Sequence, residues 1–227
     1  MSRFLRPEGL SGIAITEITC QLMLQLGRAA VQAVSRTGSH MPVFYVARDP
    51  RRSAEALESA LCAGICSAGG VAHVLGVLSS SGLSMVISAE NADGGFSLSG
   101  GDLSYEKICV RLYSKDGYPM SIEQLNEISS LMPVNAALPL KSHQNCGFIE
   151  RQTDGRKRYL KFLATRLASP FEPRRKQPLR VALDCANGTT SYVAETLFRL
   201  LGTEVLLMNY APDGININHE CGVQSIE

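Results

Sequence analysis

The sequence predicts an α/β protein in three layers, one large domain followed by the first β-α-β portion of a second. Three observations point there. Short apolar runs rich in β-branched and aromatic residues alternate with segments of helical period, the pattern of a largely parallel sheet. A segment with three prolines and three basic residues, Ser169-Pro-Phe-Glu-Pro-Arg-Arg-Lys-Gln-Pro178, interrupts that pattern. After it the alternation restarts. The expected boundaries are 1–168 for the first domain, 169–178 for a linker and 179–227 for the partial second domain.

The elements follow in order. Thr19 can cap a helix running to about Arg36, with Leu22, Leu26, Ala29, Ala30 and Ala33 at helical spacing. Val43–Ala47 reads as a buried strand. Ser53 opens a second helix to about Ser67, striped by Leu57, Leu61 and Ile65 and stopped by Gly69-Gly70. Val71–Leu75 and Met85–Ser88 read as two more strands, and Gly94–Gly101 as a loop, because its glycines break any period. Lys107–Tyr113 alternates like a half-buried strand. Ser121–Leu131 and Gly155–Leu167 fit helices. Past the linker come a strand at Leu179–Leu183, a helix from about Thr189 to Leu201 and a strand at Glu204–Met208.

Composition excludes several classes of function. Among 227 residues, 45% are hydrophobic and 19% charged, ordinary for a globular core. Lys plus Arg is 22 against 21 Asp plus Glu, a formal charge of +1, so no electrostatic footprint for nucleic acid or an anionic membrane is expected. No apolar run approaches the roughly 20 residues of a membrane span, and the first residues lack a signal peptide's apolar centre. A cytoplasmic protein is the expectation. Its seven scattered cysteines read as thiols. Cys62 and Cys66, four apart on a helix, are read as buried thiols rather than metal ligands, and no metal site is predicted.

Three motifs sit where chemistry is usually placed. Ala47-Arg-Asp-Pro-Arg-Arg-Ser53 lies on a strand-to-helix turn, where cations and free backbone N–H groups make an anion site from Arg48, Asp49 and Arg51. The plain alternative is a solvated turn in which Asp49 pairs with Arg51 and Ser53 caps. Asp184-Cys-Ala-Asn-Gly188 lies on a second such turn, and Gly188 permits a sharp bend. Pro212-Asp-Gly-Ile-Asn-Ile-Asn218 opens with a turn signal that alone implies no function.

Taken together and in order, these segments resemble the N-terminal part of the α-D-phosphohexomutase family, most closely its bacterial phosphoglucosamine mutase branch. Leu26-Gly-Arg-Ala-Ala30 is similar to the family's LGRA, 47–53 to GRDTRxS, Gly76-Val-Leu78 to the start of GVLPTP, Asp116-Gly-Tyr118 to PDGY, and 184–188 to DCANG. Residues 212–218 with Cys221-Gly222 are similar to PDGxNIN…CGS. The resemblance implies intramolecular transfer of phosphate between the 6- and 1-oxygens of glucosamine phosphate, through a phosphoserine and with Mg²⁺ neutralising charge.

Departures from the family pattern shape the rest of the expectation. Aligned on SASHNP, Ile87-Ser-Ala-Glu-Asn-Ala-Asp93 puts Glu90 at the place of the phosphoserine, where it serves either as a fixed anion facing Arg48 or Arg51 or as a solvated loop residue. Ser11 replaces the arginine of the opening TDGIRG, and Arg111 stands at the lysine of NGIK. An arginine does not transfer protons near neutral pH. From 90 to 111 is 21 positions, about twice the family's spacing, and 94–101 reads as the insertion. The family's magnesium loop has no counterpart in the sequence, so no cofactor is expected on this chain. The expectation is a truncated, catalytically inactive homologue. The alternative is a non-catalytic module that binds hexosamine phosphate, self-associates or pairs with a complete mutase.

Overall fold

The computed structural model describes residues 5–35, 40–132, 140–167 and 178–225. Nine residues of the expected linker, 169–177, lie outside them. The first unit runs β1 (Leu10–Ile13), α1 (Cys20–Ser35), β2 (Val43–Arg48), α2 (Arg52–Ser67), β3 (Val71–Val77), α3 (Ser80–Glu90), β4 (Gly94–Leu98), β5 (Lys107–Ser114), α4 (Ile122–Ser130), β6 (Ile149–Arg151) and α5 (Gly155–Leu167). The second runs β7 (Arg180–Asp184), α6 (Ala194–Leu200) and β8 (Glu204–Met208).

Six strands form one sheet in the order β1-β5-β4-β2-β3-β6. Its centre is parallel, β4 with β2, β2 with β3 and β3 with β6, while β5 runs antiparallel to both β4 and β1. The period-2 alternation of β2 sorts its side chains between two layers. Phe44 and Val46 join the cluster under α1, α2 and α4, which includes Leu26, Leu57, Leu61, Ile65 and Leu125. Tyr45 and Ala47 join the opposite cluster with Leu83, Val86 and Ile87 of α3 and Tyr159 of α5. Each fully buried leucine contributes about 1.5–3 kcal/mol of transfer free energy. The result is the three-layer α/β arrangement that the alternating pattern predicts.

Helix ends and crossings follow local chemistry. The Thr19 hydroxyl accepts from the Leu22 N–H at 3.1 Å, and Ser121 with Gln124 forms a capping box at α4. The helices α1 and α2 cross at Gly27 and Gly64. A Cβ on Gly27 would stand 2.5 Å from the Leu61 carbonyl oxygen, and one on Gly64 would overlap the Leu24 carbonyl. The glycine of the Leu26-Gly-Arg-Ala segment is therefore a packing requirement.

Two sequence expectations are corrected. Residues 85–88 are helical, because Leu83, Val86 and Ile87 bury one face of α3 and the Ser79 side chain caps its start. Residues 94–98 are a strand whose five residues are all buried between β2 and β5. Glycine is needed there: a Cβ on Gly94 or Gly95 would fall within 2.7 Å of the Tyr113 or Tyr45 carbonyl oxygen. Residues 94–98 of the expected insertion are therefore interior to the sheet, and only its last residues leave it.

The second unit is thinner. β7 and β8 pair in parallel, and along both strands exposed and half-buried residues alternate. Leu206 is 64% exposed. No helix among the described residues is long and apolar enough to cross a membrane.

Candidate functional site

In an open parallel sheet, ligands are met at the carboxyl ends of the strands. Here those ends belong to β2, β3 and β4, which finish at Arg48, Val77 and Leu98. Two backbone bonds draw the turns together, Asp49 N–H to Leu98 O and Leu78 N–H to Arg48 O, each 3.0 Å. The sequence motif at 47–53 supplies the first turn. The 99–106 connection from β4 to β5 supplies the third.

Asp49 and Arg51 are almost fully enclosed, at 1% and 0% exposure. The Asp49 carboxylate accepts from the Arg51 N–H and Nε and from the Gly100 N–H, at 3.1, 2.9 and 2.9 Å. The rest of the Arg51 fork donates to three carbonyls of the third turn, Gly101, Leu103 and Ser104. A guanidinium with every nitrogen engaged and no surface open to water clamps a loop. Between the two readings of this motif, the pairing of Asp49 with Arg51 is what the structure contains, but it is buried rather than solvated. Ser53 caps nothing: the start of α2 has no side-chain cap, and the Arg52 N–H is taken instead by Gly214 O at 3.0 Å. Gly100 is required where it stands, since a Cβ there would lie 2.5 Å from the Arg51 guanidinium.

Arg48 has the opposite placement. Its side chain, 17% exposed, edges a cleft of about 320 Å³ that Arg52, Glu55, Tyr192 and Asp213 also line. Its guanidinium is held by Glu58 at 3.3 Å and Glu55 at 3.4 Å. Glu58 is 3% exposed, and its Oε1 has no hydrogen-bond partner among the described residues. Burial pushes its carboxyl above the usual range, with Arg48 opposing.

Glu90 is far from this edge. Helix α3 leaves the carboxyl end of β3 and runs back across the sheet, so that Asp93 bonds Val43 O where β2 begins. Glu90, the last residue of α3, pairs with Arg158 of α5. The expectation that it faces Arg48 or Arg51 is therefore corrected. Arg111 is placed nearer. It stands opposite Ser97 on β5, exposed, and donates through Nε to Glu8 O at 2.8 Å. On its other side β5 pairs with residues 10–13 of β1, with Ser11 opposite Cys109.

The sequence singles out 184–188 and 212–218 as motifs but does not show that they join each other or reach the first unit. Asp184 accepts from the Ala186 and Gly222 N–H groups at 2.8 and 2.9 Å. Asn187, at a φ of +50°, where asparagine is tolerated, joins the 185–188 turn to Asn209, Ala211 and Asn216. Asp213 accepts from Ile215 and Asn216, and those bonds hold its carboxyl below the usual range. The 184–188 and 212–218 motifs are thus one hydrogen-bonded knot. From it Asn218 reaches the first unit, donating through Nδ2 to Gly101 O at 2.8 Å and Leu103 O at 3.0 Å. The 101–104 turn is gripped from below by Arg51 and from above by Asn218. A Cβ on Gly101, which has a φ of +58°, would meet nothing within 4 Å. Among the described residues, no three His, Cys, Asp or Glu side chains converge to hold a metal ion.

Comparison with known proteins gives a consistent answer. Residues 3–137 match the family described as phosphoglucomutase/phosphomannomutase, alpha/beta/alpha domain I. The chain is 35% identical over 223 residues to phosphoglucosamine mutase of Clostridium perfringens strain SM101, and 32% identical over 223 residues to that of Listeria welshimeri. Each alignment covers 98% of this chain and 48% of the relative, so the chain spans about half the length of the curated relatives it matches. Among solved structures, a phosphoglucomutase/phosphomannomutase family protein of Burkholderia thailandensis superposes with a TM-score of 0.78 at 18% identity, covering 96% of this chain and 46% of that one. The open form of the Paramecium phosphoglucomutase pp63/parafusin gives 0.69 at 14%, covering 94% and 44%. At those identities the superpositions establish the fold.

Proposed function

Because the chain belongs to the phosphoglucomutase/phosphomannomutase family, we propose that it is a phosphoglucosamine mutase-like protein of cytoplasmic amino-sugar metabolism that binds a hexosamine phosphate and does not turn it over. The observation that carries the second half of this reading is the 99–106 turn. With 94–98 an interior strand, we take 94–101 as part of the family's own sheet rather than as an insertion. The family's shorter serine-to-lysine spacing, counted back from Arg111, then falls near Gly101 rather than Glu90. Glycine offers no hydroxyl to carry a phosphoryl group. The nearest hydroxyls are Ser99 and Ser104, on either side of it.

Binding is supported by Arg48 and Arg52 beside the cleft and by Arg111 at the same edge of the sheet. Asp49 and Arg51 serve by holding the turn rather than by touching the ligand. Titration calorimetry with glucosamine 6-phosphate tests this half. Saturable heat that Arg48→Ala weakens at least tenfold is expected, and no heat from the folded wild-type chain contradicts it. Protein association is the second reading, favoured by the exposed Leu206, Met208 and Tyr210. On that reading the chain pairs with itself or with a complete mutase.

A further inference from the structure

The seven cysteines include one close pair that the proposed function does not use. Cys66 lies in the last turn of α2, and Cys146 lies between a short 3₁₀ turn and β6. The Cys146 thiol donates to the Cys66 carbonyl oxygen at 3.4 Å. The same carbonyl accepts from the Gly147 N–H at 2.9 Å, and the Lys141 N–H donates to Ser67 O at 3.1 Å. The 141–147 segment is therefore bonded to the end of α2 at Cys66 and Ser67. Gly147 presses so closely on the Gly70 backbone that a Cβ would overlap its carbonyl, which fixes the approach.

The two thiols differ in access. Cys146 is exposed, whereas Cys66 is 9% exposed. Burial first, and then the Cys146 sulfur beside it, push the Cys66 thiol upward. Cys62, one turn back on α2, is more deeply enclosed, and burial pushes its thiol up to about 12. Cys20 is the other exposed cysteine; its Sγ sits 3.9 Å from the Ala56 carbonyl and it has no cysteine beside it in the hydrogen-bond pattern.

We propose that Cys66 and Cys146 form a redox-modification site, closing to a reversible intramolecular disulfide when a small-molecule disulfide such as oxidised glutathione is present. The exposed Cys146 thiolate attacks one sulfur of the oxidant. The oxidant's S–S bond breaks, and one glutathione leaves and takes up the proton that Cys146 gave to solvent. Cys66 then loses its proton and attacks the Cys146 sulfur of the mixed disulfide, and the second glutathione leaves and is protonated. Two protein thiols and one oxidised glutathione become one protein disulfide and two reduced glutathiones. The bond ties α2 to the segment just before β6, a three-residue edge strand whose residues are all exposed.

The test uses the full chain. It is incubated with oxidised glutathione, unfolded in an alkylating agent, digested and read by mass spectrometry. A linked peptide pairing Cys66 with Cys146 is expected, with glutathione retained on Cys20 but not on Cys146. Oxidation should raise the melting temperature by about 5–10 °C, the usual worth of a bond closing a long loop in a chain of this size, and reductant should reverse it. Cys146→Ser, at an exposed position, should keep the fold and lose both the linked peptide and the shift. Glutathione persisting on Cys146, a link from Cys146 to any other cysteine, or no reaction at Cys146 overturns the proposal.

Discussion

The turns after β2 and after β7 are built on one device in two settings. In each, an aspartate at the strand end folds back on the N–H two residues on, Asp49 on Arg51 and Asp184 on Ala186. Each also takes an N–H from a distant loop, Gly100 or Gly222. The first aspartate is buried and carries a buried arginine; the second is exposed and bonds to backbone amides. The difference shows what burial demands. Water screens Asp184, so hydrogen bonds suffice, whereas a carboxylate removed from water needs a counter-charge and a full set of donors. The same contrast runs through the packing: β2 is covered on both faces, and β7 on one.

Breaking the buried version should have the largest effect. Arg51→Met leaves Asp49 enclosed without its cation and frees the carbonyls of 101–104. A loss of about 3–5 kcal/mol in urea unfolding is expected. The core on either side of this contrast can be probed by one substitution in each unit. Leu61→Ala, in the enclosed stripe of α2, should cost about 2–5 kcal/mol, and Leu206→Ala, on the open face of β8, within about 0.5 kcal/mol. Equal costs would show that the second unit's open face is covered in solution.

Smaller changes sharpen the comparison at the join. Asn218→Ala removes two hydrogen bonds to the 101–104 turn, which Arg51 still holds. About 1 kcal/mol is expected, with faster amide exchange confined to residues 100–105 and the second unit. The smallest effects are in pH. Burial acts upward on Asp184, and bonds from Gly222, Ala186 and Asn209 outweigh it, so the carboxyl lies below its ordinary 3.8. Its contribution is present above that value and lost as pH falls through the lower folded one. Asp213 has the same sign. Glu58 has the other: its folded carboxyl lies above its ordinary 4.5, so stability falls as pH rises through that window. Glu58→Gln should therefore stabilise the first unit at pH 7 and leave it unchanged below pH 4. In acid, exchange protection should fade in the second unit before the first.

Much of this architecture is legible in the sequence, for a physical reason. The strand at 204–208 alternates exposed with half-buried residues, and the strand at 43–48 is a continuous apolar run with its four central residues buried; both patterns are ones a sequence records. The misreadings occurred where local composition opposed tertiary context. Met85-Val-Ile-Ser has strand-like side chains, yet two of them belong to a helical face with Leu83. Gly94 and Gly95 look like a loop because the crowding that requires glycine comes from Tyr113, Tyr45 and Ile87, distant in sequence. Because 85–88 is helical and not a strand, Glu90 ends α3 beside Arg158 and not beside Arg48 or Arg51. The cluster at 48–51 was legible as chemistry, while its division into a buried clamp and a cleft-facing Arg48 was not. Nothing local to Asn218 announces a partner 117 residues away.

The proposed function requires a scaffold that binds a sugar phosphate and offers glycine, not a hydroxyl, where the phosphoryl group would ride. Phosphorus NMR of the purified chain with glucosamine 6-phosphate, glucosamine 1,6-bisphosphate and Mg²⁺ tests it most directly. The spectrum should keep its substrate signals unchanged, and mass spectrometry of the recovered protein should find residues 99–106 unmodified. Growth of a glucosamine 1-phosphate signal together with phosphate on Ser99 or Ser104 would contradict the account.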